Sequence, residues 1–71
     1  MNASEITNEQ ILKAFADSPP HARVENAVDW NDFIATLGKS GLSDSEAEEA
    51  ADLAFGRGIL YEPMLGILKV A

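Results

Sequence analysis

Three amphipathic stretches of this chain each begin with a short polar side chain placed to cap a helix, and a fourth stretch is built from strand formers around a turn. Thr7-Asn8-Glu9-Gln10 has the pattern of a capping box, with Thr7 as N-cap and Gln10 three residues on. Ile6 and Ile11 flank that start and can staple it, and Ile11, Leu12 and Phe15 are expected on one face. Ser18-Pro19-Pro20 ends the helix, because prolines donate no amide and the residue before a proline avoids the helical region. Val24 to Val28 reads as a loop leading into a brief strand. Asp29 then caps a second helix, with Asp32 as an incomplete box partner and Val28 and Phe33 as its staple. Trp30, Phe33, Ile34 and Leu37 fall at i, i+3, i+4 and i+7, the spacing of a buried stripe. Ser43 and Glu46 form a full capping box for a third helix. Its inward face is Ala47, Ala50, Ala51, Ala54 and Phe55, and Gly58 is its expected stop.

Ile59-Leu60-Tyr61-Glu62 and Ile67-Leu68-Lys69-Val70 are strand-forming runs. Pro63-Met64-Leu65-Gly66 lies between them, and Pro63 suits the second position of a turn. The expected order is helix 7–18, short strand, helix 29–39, turn, helix 43–57, hairpin 59–70. That is a winged helix-turn-helix, mostly α with a small antiparallel β-hairpin, in one domain spanning 1–71.

A chain of this length buries only about 60% of its unfolded surface. It has no cysteine, so neither a disulfide nor a thiolate zinc site supports the core. A hydrophobic content of 46% supplies an apolar core instead and argues against disorder. Met1 to Gln10 is polar and lacks the apolar core of a signal peptide. The most apolar run, Ile59 to Ala71, is broken by Glu62, Pro63, Gly66 and Lys69 and is shorter than the ~20 residues of a spanning helix. The expectation is a soluble, cytoplasmic protein without membrane contact.

Gly58-Ile59-Leu60-Tyr61-Glu62-Pro63, with Gly66 and Leu68-Lys69, resembles the wing of the winged-helix domain at the C-terminus of archaeal minichromosome maintenance helicases. The capped acidic helix from Ser43 to Gly58 is similar too, and the element order extends the likeness over Thr7 to Val70. Its specific part is about a dozen residues. The resemblance implies a non-catalytic accessory domain that modulates a replicative motor and contacts other replication proteins. The chain departs from the pattern at Ile59 and Met64, which are apolar where the family is often charged. No Gly-rich loop followed by Lys and Ser or Thr is present, so the sequence carries no nucleotide-binding loop.

Charge sets the choice of partner. Twelve acids against five bases give a net charge of −7, which repels phosphate at long range. The third helix carries Asp44, Glu46, Glu48, Glu49 and Asp52, with Arg57 its one base. A reading helix in a DNA groove uses Arg, Lys, Asn or Gln. Asp44 and Glu46 are explained by the helix dipole. Glu48, Glu49 and Asp52, with the apolar wing-tip residues Met64 and Leu65, are the candidate surface for a protein partner. The plainer readings are a solvated helix face and a tip folded onto the core. Lys39, Arg57 and Lys69 are the candidate phosphate contacts, against the plainer reading of scattered solubilising charges. Tyr61 reads as a half-buried strand residue, and His21 stands alone with no second ligand at metal spacing. No catalytic constellation, cofactor, metal or small-molecule site is expected. The first reading is a protein-interaction module tied to replication, with DNA bound weakly or not at all. The alternative is a small DNA-binding transcription regulator. A third is a domain whose acidity serves solubility and whose partner surface lies elsewhere, for example on the first helix.

Overall fold

The structure, a computed structural model, describes residues 3–71; Met1 and Asn2, which open the polar lead-in and the 1–71 domain, lie outside the described residues. A 3-10 turn at Ala3–Glu5 precedes α1 (Asn8–Asp17). Then come β1 (Ala27–Asp29), α2 (Trp30–Lys39), α3 (Asp44–Gly56), β2 (Leu60–Met64) and β3 (Ile67–Val70). The sheet order is β1-β3-β2, with both pairings antiparallel. Three helices and a hairpin braced by an early strand make a small, mostly helical, winged-helix-like fold.

The caps form as the sequence predicts. The Gln10 amide donates to Thr7 Oγ1 at 3.1 Å, and the Thr7 amide to Gln10 Oε1 at 2.8 Å. Ser43 and Glu46 make the same reciprocal pair at 2.9 and 3.2 Å. Asp29 caps more simply, accepting from the Asn31 amide at 2.9 Å. Hydrogen bonds from the Ser43 amide and hydroxyl hold the Glu46 carboxyl below the usual carboxylate range. A depressed folded value means that this stabilisation is present above the unfolded value and is lost as pH falls through the folded one. Glu46→Gln keeps an oxygen acceptor for the Ser43 amide that does not titrate. The wild-type urea midpoint is therefore expected to fall relative to that of Glu46→Gln between about pH 5 and about pH 3.

Phe33, Ile11, Leu37, Leu60 and Leu68 are the largest fully buried side chains, and Ala47, Ala50, Ala51 and Ala54 are fully buried beside them. The small alanine side chains allow α3 to lie close against α2 and the sheet. The expected face of α1 needs one correction. Ile11 and Ala14 point inward, whereas Leu12 is 40% exposed. A rotation of about 100° per residue separates adjacent helical positions, so Leu12 cannot share the line of Ile11. Ser18 is the buried polar residue of the core, and its Oγ donates to the Ala14 carbonyl at 2.7 Å while lying 2.9 Å from Thr36 Oγ1. That contact fastens the end of α1 to α2.

The hairpin also differs from expectation. Pro63 lies inside β2, and the two-residue turn is Leu65-Gly66. Tyr61 pairs with Lys69 and Met64 with Ile67, so β2 carries one extra residue at Glu62-Pro63. β2 is an edge strand, where a bulge accommodates a residue that has no amide to give to the ladder. Gly66 has φ +83°, a conformation glycine adopts without penalty. Tyr61, expected to be half-buried, is exposed.

A candidate docking groove between the wing and the third helix

The start of α2 is tied to the tip of the wing. β1 runs directly into α2, and its Asp29 pairs with Ile67 of β3. The next amide, that of Trp30, donates to the Gly66 carbonyl at 2.9 Å. The Gly66 amide in turn donates to Glu62 Oε2 at 2.9 Å. The turn is therefore fixed at both polar groups of its glycine, one to a helix start and one to the opposing strand.

These ties create an open groove of about 370 Å³ lined by Trp30, Asp52, Phe55, Glu62, Leu65 and Gly66. Trp30 and Phe55 are half-buried and stack with ring centroids 6.4 Å apart and planes inclined by 24°, within the range of favourable offset pairs. Leu65 stands beside them at 95% exposure. The leucine therefore projects into water from a turn whose backbone is held by two hydrogen bonds. Asp52 on α3 and Glu62 on β2 supply two carboxylates, and no base lines the groove. Among the described residues Asp52 makes no side-chain hydrogen bond or ion pair, and the one ion pair is Lys13–Asp17 at 3.0 Å on α1.

Of the five residues expected to contact a partner, the groove unites Asp52 and Leu65. Glu49 lines a second shallow depression across α3, with Ser4, Asp52, Leu53, Gly56 and Arg57. Glu48 is exposed on α3, one turn before Asp52. Met64 is 55% exposed and lies outside the groove, opposite Ile67. Trp30 and Phe55 pack against the core as their helical spacing predicts, and their half-buried faces also line the groove, joined there by Glu62, to which no sequence signal gives a role. The available signal was Asp29. A cap that also ends a strand must bring the first residue of α2 to the sheet.

The three candidate phosphate contacts stand on separate elements. Lys39 is exposed in the last turn of α2, and Lys69 is half-buried in β3 between Ala27 and Tyr61. Arg57 is engaged elsewhere. Its Nη1 donates to the Ile6 carbonyl at 2.8 Å and to Asn8 Oδ1 at 3.2 Å. That contact clamps the end of α3 to the chain entering α1, and Gly58 at φ +72° then turns the chain away into the wing. Arg57→Ala is expected to destabilise the domain by about 1 kcal/mol, a charge-assisted hydrogen bond discounted for solvent exposure. A shift in the urea midpoint at constant slope measures it.

A third cavity, about 210 Å³, lies between α1 and α2 and is lined by Ile6, Ala14, Leu37 and Leu42 together with Gln10, Lys13, Asp17, Thr36 and Ser40. No buried side-chain nitrogen or oxygen among the described residues lacks a hydrogen bond. His21 organises its own loop, where Nδ1 accepts from the amides of Arg23 and Val24 at 3.0 and 3.1 Å. Among the described residues there is no cluster of three His, Cys, Asp or Glu side chains able to hold a metal ion. No helix there is long and apolar enough to cross a membrane. Comparisons with protein-family models, with curated proteins and with solved structures found no match to this chain.

Proposed function

We propose that this domain is a non-catalytic protein-docking module whose contact surface is the groove between the wing turn and α3. The observation that carries the reading is Leu65, 95% exposed on a turn held by Trp30 and Glu62 and set beside a half-buried aromatic pair. An apolar side chain projecting into solvent from an ordered turn, beside aromatic surface, is the kind of exposed apolar patch that marks an interface. The acids favour protein over nucleic acid. Asp52 and Glu62 flank the groove, and a DNA backbone laid there would bring phosphates against unneutralised carboxylates. The likeness of the wing to that of archaeal replicative helicases supports a place as an accessory domain of a replication machine, with a replication protein as partner.

Photo-crosslinking tests this reading. With p-benzoylphenylalanine replacing Leu65 in the cells that make the protein, discrete protease-sensitive adducts are expected. The same group replacing Ala16, exposed on α1, is expected to give none, and Asp52→Lys is expected to suppress the adducts at position 65. Adducts that only nuclease removes, or identical adducts from positions 65 and 16, contradict the proposal.

A further inference from the structure

We propose that the groove accepts a linear segment presenting an arginine or lysine between apolar side chains, with the cation over the Trp30 ring between Asp52 and Glu62 and an apolar neighbour against Leu65. The inference rests on the docking reading and specifies the chemistry of the partner. Four observations carry it. The groove is lined by a pair of half-buried, stacked aromatic rings, and aromatic faces attract cations through their quadrupole. Its lining includes two carboxylates from different elements and no base to neutralise them. Asp52 has no side-chain partner among the described residues, and Glu62 is held by the Gly66 amide through one oxygen. Leu65 projects into water from a turn whose backbone is already pinned, so an apolar contact there requires little further backbone ordering.

Size and charge select among occupants. An open groove of about 370 Å³ is at the lower end of pockets that enclose a small ligand, which suits one or two side chains of an extended or helical segment. A second copy of this chain would bring its own charge of −7 to the same place, and like charges at an interface oppose association. A nucleic acid or an acidic peptide meets the same repulsion. A basic segment meets complementary potential, which speeds its encounter and makes binding sensitive to salt.

Trp30 is the one tryptophan in the chain, so its fluorescence reports the groove directly. The probes are three peptides: acetyl-Leu-Arg-Leu-Lys-Leu-amide, its Gln analogue with both bases replaced, and its Glu analogue. The basic peptide is expected to shift Trp30 emission saturably and to weaken as salt rises from about 0.01 M to about 0.15 M. The Glu analogue is expected to leave the emission unchanged, and the Gln analogue to bind roughly tenfold more weakly than the basic peptide. The double variant Asp52→Asn, Glu62→Gln is expected to weaken the basic peptide by roughly tenfold. Gln at position 62 keeps an acceptor for the Gly66 amide, and an unchanged urea midpoint verifies that this variant folds. Equal binding of the Gln or Glu analogue overturns the basic specificity, while adducts at position 65 keep the docking reading intact. No emission change with any of the three peptides overturns the inference. So does a concentration-dependent shift of the protein alone, which assigns the groove to a second copy of the chain.

Discussion

Phe33→Ala is expected to leave the domain largely unfolded at 37 °C. Phe33 is the largest of the fully buried side chains, lies in the first half of α2, and belongs to the same buried cluster as Val28. Truncating a buried phenylalanine costs about 3–5 kcal/mol, as lost transfer energy plus the cavity left behind. A domain of this length is stable by roughly 3.5–10 kcal/mol at typical values per residue, and no disulfide supplements its core. The loss is comparable with the whole margin. Helical circular dichroism is therefore expected to collapse, with no cooperative melting transition above 37 °C. Ile34→Ala, at the half-buried next position, is expected to cost only about 1 kcal/mol and to keep the transition. A Phe33→Ala protein that melts cooperatively near the wild-type temperature would contradict this picture of the core.

The second large effect comes from adding volume. Ala47, Ala50, Ala51 and Ala54 have no exposure at all, and α3 packs on α2, the 3-10 turn, α1 and β2. Leucine and alanine have similar helix propensity, so Ala50→Leu changes packing far more than it changes the tendency to be helical. Three added carbons in a close-packed seam force side chains off their rotamers or push the helix outward, at a cost of about 1–3 kcal/mol and sometimes more. Ser45→Leu in the same helix, at an exposed position, is the control and is expected to change stability by less than about 0.5 kcal/mol. Urea titration of both variants checks the contrast. The groove depends on this seam, because Asp52 and Phe55 are placed by the depth at which α3 sits. Ala50→Leu is thus also expected to weaken any partner that binds there.

Helix starts were legible because a cap is a local device. Thr7 with Gln10 and Ser43 with Glu46 act across three residues, and each formed the bonds that its spacing implies. The alanine face of α3 was legible for the same reason, since its periodicity lies within one helix. The end of β2 was not. Pro63 carries a strong turn signal, but an edge strand with a bulge offers it another place, and the need for that bulge is set by the pairing with β3. Arg57 looked like a free base at a helix end. Its partners, the Ile6 carbonyl and Asn8, lie 51 and 49 residues away in sequence. The groove had the same character. Asp52 and Leu65 were recognised as surface residues in isolation. The Trp30 amide and the Gly66 carbonyl join them to the aromatic pair through a contact between residues distant in sequence, toward which Asp29 alone points.

On the reading proposed above, the wing and α3 meet a protein rather than DNA. An amide-resolved NMR titration of the labelled domain with duplex and with single-stranded DNA, at low and then moderate salt, tests it most directly. Low salt is where phosphate contacts are strongest. No saturable shifts are expected at Lys39, Arg57, Lys69 or the wing under either condition. Shifts at those residues that saturate with DNA and weaken as salt rises would contradict it.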